Sequence, residues 1–265
     1  MTAQAIPSVA VRPARPGRYD PVIFAVALLV LWQGAHMLVG EEGLASPEQT
    51  FMTAVHLLGS ASFWPHVAAT GIAFVYALIV TIVGGLAIGL LLGYFRLMGE
   101  VFDPIVGATY AIPKITLYPI ILLLFGLSLS AKVSFGALHG IFPIIIFTMS
   151  GVKAVRPVLL RVGRVMRLSP IACMWHVLAP SALPEIFTGF RIAFSLTLLG
   201  TLIGEMFASD RGLGFLLIRS IDQDDPATIM ALALMLFGVS ASVGWVLLLI
   251  DRHLHRYKRV RSGGH

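Results

Sequence analysis

HVAATGIAFVYALIVTIVGGLAIGLLLGY, residues 66–94, contains no formal charge and no proline. A helix rises 1.5 Å per residue and a bilayer's hydrocarbon core is about 30 Å thick, so roughly 20 apolar residues cross it. This stretch exceeds that length and is read as a membrane span. Within it Gly85, Gly89 and Gly93 recur at four-residue steps. That spacing stacks three absent side chains on one helix face, where a neighbouring helix can approach closely. The glycines are read as a packing device and not as a substrate site.

Outward from this stretch, apolar runs recur at 21–39, 102–125, 131–150, 183–207 and 227–250. The chain is 57% hydrophobic and only 12% charged, against about 25% charged in a soluble domain. Six spans occupy about half of the 265 residues, each needing roughly 20, and leave no room for a second globular domain. The expected fold class is an all-α membrane protein with about six transmembrane helices. The run at 21–39 follows basic residues, as a signal peptide would. It is longer than the usual 7–15-residue apolar core and is read as the first span. Residues 1–20 carry Arg12, Arg15, Arg18 and several prolines without an apolar period, and are read as a disordered basic tail. Residues 40–65 hold Glu41, Glu42 and Glu48 and no lysine or arginine. Within them, 47–58 reads as a short surface helix with Pro47 in its first turn.

Charge placement gives these spans a direction. If the N-terminus is cytoplasmic, the inner segments hold Arg12, Arg15, Arg18, Arg96, Lys153, Arg156, Arg161, Arg164 and Arg167. The tail 251–265 adds Arg252, Arg256, Lys258, Arg259 and Arg261. The outer segments hold only Lys132, Arg211 and Arg219. Fourteen against three follows the positive-inside rule and predicts both termini in the cytoplasm. It also accounts for the net charge of +6 without nucleic acid.

Several chemistries find no residues here. One cysteine, Cys173, supports neither a disulfide framework nor a cysteine metal site. The histidines at 36, 56, 66, 139, 176, 253, 255 and 265 show no paired ligand spacing, and no Gly-rich loop ends in Gly-Lys-Ser/Thr. No nucleophile–base pair emerges. No catalytic and no metal residues are therefore expected, and ATP is not bound in the P-loop manner.

Inside the spans, Pro113 and Pro119 interrupt 102–125, and Pro143 lies in 131–150. Neighbouring helices can satisfy the freed backbone groups, so both a broken helix lining a pathway and simple kinking stay open. Lys114, Arg191 and Glu205 are charges at or within apolar runs, where each needs a partner or a wet cavity. Arg191 is close enough to its helix start to snorkel. Glu205 is read as capping the outer mouth or reaching headgroup water. Lys114, beside Pro113, is the residue best placed to face a pathway. The pathway candidates are thus Pro113, Lys114, Pro119, Arg191 and Glu205.

Residues 151–180 form the longest cytoplasmic loop and are basic and partly amphipathic. Leu159, Val162 and Met166, with Leu160 and Gly163 beside them, fall at helical spacing, while Arg161, Arg164 and Arg167 face elsewhere. Two readings fit: a basic helix lying on anionic lipid, or a docking helix for a soluble partner.

The chain resembles the permeases of binding-protein-dependent ABC importers of the aliphatic-sulfonate, taurine and nitrate type over about residues 20–255. The resemblance is carried by His66 and Thr70, Ile112-Pro113, Pro119, Phe125-Gly126, Ser130-Ala131-Lys132, Ala137-Leu138, Phe142-Pro143-Ile144, Thr148 and Gly151. It continues through Leu168-Ser169, Pro180, Ala182-Leu183-Pro184, Gly189, Arg191, Glu205 and Gly212-Leu213-Gly214.

The resemblance implies a type I ABC importer permease fold in the bacterial inner membrane. A second permease, identical or different, would complete the pathway. A cytoplasmic ATPase dimer would carry ATP and Mg²⁺, with no cofactor in this chain, and an extracytoplasmic binding protein would deliver the solute. Such an assembly takes up a small solute such as a sulfonate, taurine or nitrate. The resemblance also implies that a helix at about 159–175 docks into the ATPase, through Leu159, Arg161, Gly163, Arg164, Arg167, Leu168, Ser169, Trp175 and Pro180. The family pattern there is Glu-Ala-Ala, three residues, Gly, nine residues, Ile-x-Leu-Pro. This chain instead holds Arg161, Val162, Gly163, Arg167, Val177, Ala179 and Pro180. A secondary transporter or channel is the alternative, recognisable by mid-span carboxylates or inverted repeats. An integral-membrane enzyme is disfavoured for want of a catalytic constellation.

Overall fold

Small residues recur at every fourth position on three of the apolar runs, and those positions become the principal helix contacts. The computed structural model describes residues 19–207 and 209–262, the side chains of Pro21, Arg164 and 253–262 excepted. Arg12, Arg15 and Arg18 of the expected tail lie outside these residues. Helices α3 (Trp64–Tyr94), α6 (Leu129–Lys153) and α10 (Leu183–Phe207) form the centre.

The α3–α6 pair runs parallel and in register. A Cβ placed on Gly85 would lie 2.7 Å from Ile144 Cβ, one on Gly89 2.6 Å from Thr148 Cβ, and one on Gly93 2.7 Å from Val152 Cβ. On its other side α6 meets α10 in antiparallel register. Gly140 lies against Thr197, Gly136 against Thr201, and Gly189 against Pro143 and Phe147. Ala73, Ala77, Thr81, Thr197 and Thr201 are fully buried along these seams. In lipid there is no hydrophobic drive between helices, so close packing and interhelical hydrogen bonds must hold them. Thr81 Oγ1 and Thr197 Oγ1 meet at 3.4 Å across the α3–α10 contact, while Thr201 Oγ1 satisfies itself within α10 by donating to the Thr197 carbonyl at 2.9 Å.

The peripheral helices are α1 (Asp20–Val39), with no buried residue among its apolar positions, and α12 (Pro226–Ser262), which buries Ala231 and Leu232 near its start and is otherwise largely uncovered along its apolar length. That pattern suits helices facing lipid, or another subunit. Trp32 Nε1 donates to the Ala45 carbonyl at 3.0 Å and ties α1 to the following turn. Short helix α2 (Pro47–Gly59) opens with a capping box formed by Ser46 and Gln49. It buries Thr50 and Ala54 and packs on α12. With 37 residues, α12 is about 55 Å long. It outreaches a bilayer core of about 30 Å, so its basic end projects beyond.

The run expected as one span at 102–125 is built otherwise. It starts earlier, as α4 (Arg96–Ala111), passes through a 3₁₀ turn (Lys114–Leu117) and continues as α5 (Tyr118–Phe125), with an 88° bend between the halves. Pro113 is the cause. A residue before proline is pushed out of the helical region, and Ile112 sits at φ −63°, ψ 133°. Pro119 occupies the first turn of α5, where proline is tolerated. Pro104 and Pro143 lie inside continuous helices. Five helices are long and apolar enough to cross a membrane, and the bent pair makes six if it counts as one span. No strand occurs among the described residues.

An ion pair joins α4 to the end of α6, Lys153 Nζ to Asp103 Oδ2 at 3.1 Å, with both side chains well exposed. Exposed pairs contribute at most about 1 kcal/mol. The variant Asp103→Asn is therefore expected to leave the thermal midpoint in detergent almost unchanged.

Candidate functional site

Two ends of the three-helix centre carry polar architecture. At the end marked by Lys153, the chain leaves α6 through Ala154 and Val155 and enters α7 (Pro157–Val165). Then come α8 (Pro170–Cys173), a π turn (Met174–Leu178) and α9 (Ala179–Ser181). The helix expected over 159–175 is thus broken at 166–169. The break is a helix-ending turn: Arg167 takes φ +50°, and the Leu168 N–H donates to the Gly163 carbonyl at 3.0 Å. This is the six-to-one bond of a Schellman ending, with Arg167 where glycine is usual. Ser169 then caps α8, its Oγ accepting the Ala172 N–H at 3.2 Å. A non-glycine residue in the left-handed region costs about 1–2 kcal/mol. The loop thus makes a glycine-type turn with an arginine at its left-handed position.

The faces of α7 also differ from the expected stripe. Leu160 packs on a buried cluster of Leu90, Val152, Val155, Leu178 and Ala182. A Cβ on Gly163 would lie 3.3 Å from Cys173 Sγ. Leu160 and Gly163 therefore mark the inner face, and helical periodicity places Val158, Arg161, Val162 and Val165 opposite. Val158, Val162 and Val165 are 61%, 47% and 83% exposed, and Arg161 is exposed as well. Val162 accordingly faces outward and does not share a buried stripe with Leu160. Trp175 and Pro180 are also exposed, and Leu168 is half-buried.

At the opposite end, Glu205 is fully buried near the close of α10. Its Oε2 accepts the Thr70 hydroxyl at 2.7 Å and the Gly214 N–H at 3.1 Å. Thr70 Oγ1 in turn accepts the Leu213 N–H at 2.8 Å, and His66 Nδ1 accepts the Gly212 N–H at 3.1 Å. The His66 ring stacks on Phe215, and Tyr118 donates to the Gly204 carbonyl at 2.8 Å. Glu205 thereby caps α11 (Leu213–Asp222) from another helix and ties it to α3. Gly212 (φ +129°) lies directly against the carboxyl, where a Cβ would collide with it. Sequence reasoning placed Glu205 at a mouth or in headgroup water; the structure puts it in a sealed knot. Its partners Thr70 and Gly212–Gly214 are among the residues that carry the resemblance, but no local signal in the sequence pairs them with it.

Lys114 lies at the α4–α5 bend. Its Nζ donates to the Tyr110 carbonyl at 2.9 Å and sits 4.7 Å from the Tyr110 ring centre and 5.4 Å from that of Phe142. Those rings hold the cation at the kink. Pro113 and Pro119 flank it and are exposed, while Arg191 is half-buried on α10. Among the described residues no hydrogen bond or ion pair joins Lys114, Arg191 and Glu205. A cavity of about 420 Å³ opens between the start of α6 and the segment after α10, lined by Ser128, Lys132, Phe207, Ser209 and Asp210 among others. Lys132 Nζ donates to Ser209 Oγ at 2.5 Å there.

The family described as "Binding-protein-dependent transport system inner membrane component" matches residues 82–260, well over half of the chain. The chain belongs to that family. Its matched range takes in the bent pair, the α6–α10 seam, the α7–α9 surface and Glu205. Relatives of this inner membrane component include the aliphatic sulfonates transport permease protein SsuC of Escherichia coli. That protein is 31% identical over 238 residues, 87% of this chain and 89% of the relative. The formylaminopyrimidine transport permease protein ThiX of Halalkalibacterium halodurans is 30% identical, over 80% of this chain and 85% of the relative. The taurine transport permease TauC of Escherichia coli is 29% identical, over 72% of each chain. Among solved structures, an inward-facing MetNI methionine ABC transporter superposes with a TM-score of 0.56 at 20% identity, over 73% of this chain and 93% of that one. The fold is that of an ABC importer permease, and the protein is a multi-pass membrane component.

Proposed function

We propose that the chain is one permease half of an ATP-driven importer in a bacterial inner membrane, with both termini in the cytoplasm. The observation that carries the reading is the α7–α9 surface. It is a separate helical platform at the basic end of the bundle, with an outward apolar face that the chain leaves uncovered. An ATPase dimer binding ATP and Mg²⁺ would dock there, and this chain would supply neither the nucleotide site nor the chemistry. A binding protein would deliver solute at the Glu205 end, and a second permease would complete the pathway. The bent pair with Pro113, Lys114 and Pro119 is the segment of this chain best suited to line that pathway. The solute would be a small molecule of the sulfonate, taurine or nitrate kind, in keeping with the names of SsuC and TauC, while the name of ThiX points to a pyrimidine instead. ATP binding and loaded binding protein would favour the same outward-facing state, which is the differential affinity that coupling requires.

The test is reconstitution into vesicles with the cognate ATPase and binding protein. Uptake is expected only with ATP and Mg²⁺ and only with both partners present. Solute accumulation without nucleotide would favour a secondary transporter instead.

A further inference from the structure

The cavity at the Glu205 end of the bundle carries two opposite charges that do not pair. It holds about 420 Å³, toward the small end of the roughly 300–1,000 Å³ usual for small-molecule pockets. Lys132 and Asp210 both line it, with Ser128, Leu129, Phe207 and Ser209. Among the described residues the ion pairs are Arg96–Glu100 and Lys153–Asp103, so Lys132 and Asp210 face one cavity without joining across it. Glu205 spends its carboxylate on Thr70 and Gly214 and does not pair with Lys132 either.

Each charge is fixed by a different element. Lys132 stands at the start of α6 where that helix abuts α10, since a Cβ on Gly204 would lie 3.3 Å from Lys132 Cα. Asp210 is carried by the segment after α10. There Ser209 Oγ accepts the Arg211 N–H at 3.1 Å and donates to the Arg211 carbonyl, and the Gly212 N–H reaches His66. The hydroxyls of the cavity are already committed, because Ser128 Oγ donates to the Phe125 carbonyl at 2.8 Å and Ser209 Oγ also accepts from Lys132. An ammonium has three N–H donors, and Lys132 spends one on Ser209. The Asp210 carboxylate is exposed and makes no hydrogen bond among the described residues. The groups left for recognition are one ammonium and one carboxylate, with apolar wall from Leu129 and Phe207. Tying the loop through Ser209 would take a single donor; a half-buried lysine brings two more and a charge.

Those charges select among solutes. A plain anion would meet Lys132 but be opposed by Asp210, and a plain cation would meet the reverse. A neutral solute would leave both charges unanswered. We propose that this cavity is a subsite for a small zwitterionic solute, its anionic group on Lys132, its amino group toward Asp210 and a short carbon linker against Leu129 and Phe207. The proposal rests on the importer reading above, which puts this end where solute arrives, and it narrows the solute to one charge class.

The probes are taurine, ethanesulfonate and ethylamine, which share a short carbon chain and carry both charges, the negative one or the positive one. Each is offered at equal concentration to the full chain in detergent, and binding is read by saturation-transfer difference NMR. Taurine is expected to give the strongest signal. Asp210→Asn and Lys132→Met are each expected to weaken taurine binding about tenfold or more, the loss of one hydrogen bond to a charged group. The order should change as well. Asp210→Asn should bring ethanesulfonate level with taurine, and Lys132→Met should do so for ethylamine. A mere loop tie would alter the thermal midpoint and leave that order alone. Asp210 is exposed, so Asp210→Asn keeps the test open even where Lys132→Met fails to fold. Equal signals from the three probes, or an order that Asp210→Asn leaves unchanged, overturns the proposal. Silence from all three also overturns it, while the importer reading stands or falls separately on ATP-dependent uptake in vesicles.

Discussion

Replacing Gly140 by valine is expected to abolish accumulation of the folded protein. Gly140, on α6, faces α3 and α10 at once. A Cβ there collides with the Thr197 hydroxyl and lies 3.0 Å from Thr81 Cγ2 and 3.1 Å from the Ala193 carbonyl. The first two are side chains already committed to a fully buried seam, and the third is backbone that cannot rotate away. Overpacking a well-packed core ordinarily costs about 1–3 kcal/mol. Here the added atoms wedge two helix pairs at once, so the cost is expected at or above the top of that range. The readouts are the yield of a symmetric size-exclusion peak in detergent and the thermal midpoint of what remains. Gly238→Val on α12, where nothing lies within 4 Å, is the control and should accumulate normally. Pairing Gly140→Ala with Thr197→Ala removes the colliding hydroxyl and should recover part of the loss that Gly140→Ala alone causes, a coupling expected only of residues in contact. Normal yield from Gly140→Val would show that the three helices are not interlocked at this point.

The second large effect is expected at Glu205. Truncation to alanine strips the acceptor from the Thr70 hydroxyl and the Gly214 N–H, both at the sealed knot. Each buried group left unsatisfied costs about 1–3 kcal/mol, and the vacated volume adds to the loss. Glu205→Gln keeps one acceptor oxygen of the same reach and should be far milder. The contrast matters because a path-facing or proton-carrying carboxylate predicts the opposite ranking for transport: glutamine would then fail as badly as alanine. The expected result is that Glu205→Ala lowers the thermal midpoint and exposes the segment around 209–223 to protease. Glu205→Gln should retain both stability and uptake. Equal loss of uptake in the two variants at unchanged stability would restore Glu205 to the pathway.

Much of the fold is legible in single segments. The run at 183–207 coincides with α10, and that at 66–94 begins two residues inside α3. Long uncharged runs leave the backbone no better option in lipid than to satisfy its own hydrogen bonds as helix. The Gly85, Gly89 and Gly93 spacing marks a packing face for the same local reason. The same four-residue spacing recurs at Gly136 and Gly140 and at Gly200 and Gly204.

The bend at Pro113 was legible only as an interruption. An 88° turn depends on what the second half packs against, and Tyr118 at 5% exposure against Phe135 supplies that anchor. Glu205 shows the limit most clearly. A carboxylate near the end of an apolar run is, to a local reading, a group close to water. Its partner Thr70 lies 135 residues away, and no periodicity connects them. Arg167 is the converse case: the turn there is one that glycine usually makes, and it forms with an arginine because the Gly163–Leu168 hydrogen bond belongs to the chain's own geometry.

The sequence by itself determined that this chain crosses a membrane several times, and it predicted which end faces the cytoplasm, because hydropathy and charge act segment by segment. Only the tertiary structure decided which face of α7 is free, that Glu205 is enclosed, and that α6 lies between α3 and α10. Those outcomes depend on contacts between segments far apart in the chain, where shape and hydrogen-bond reach choose the partners.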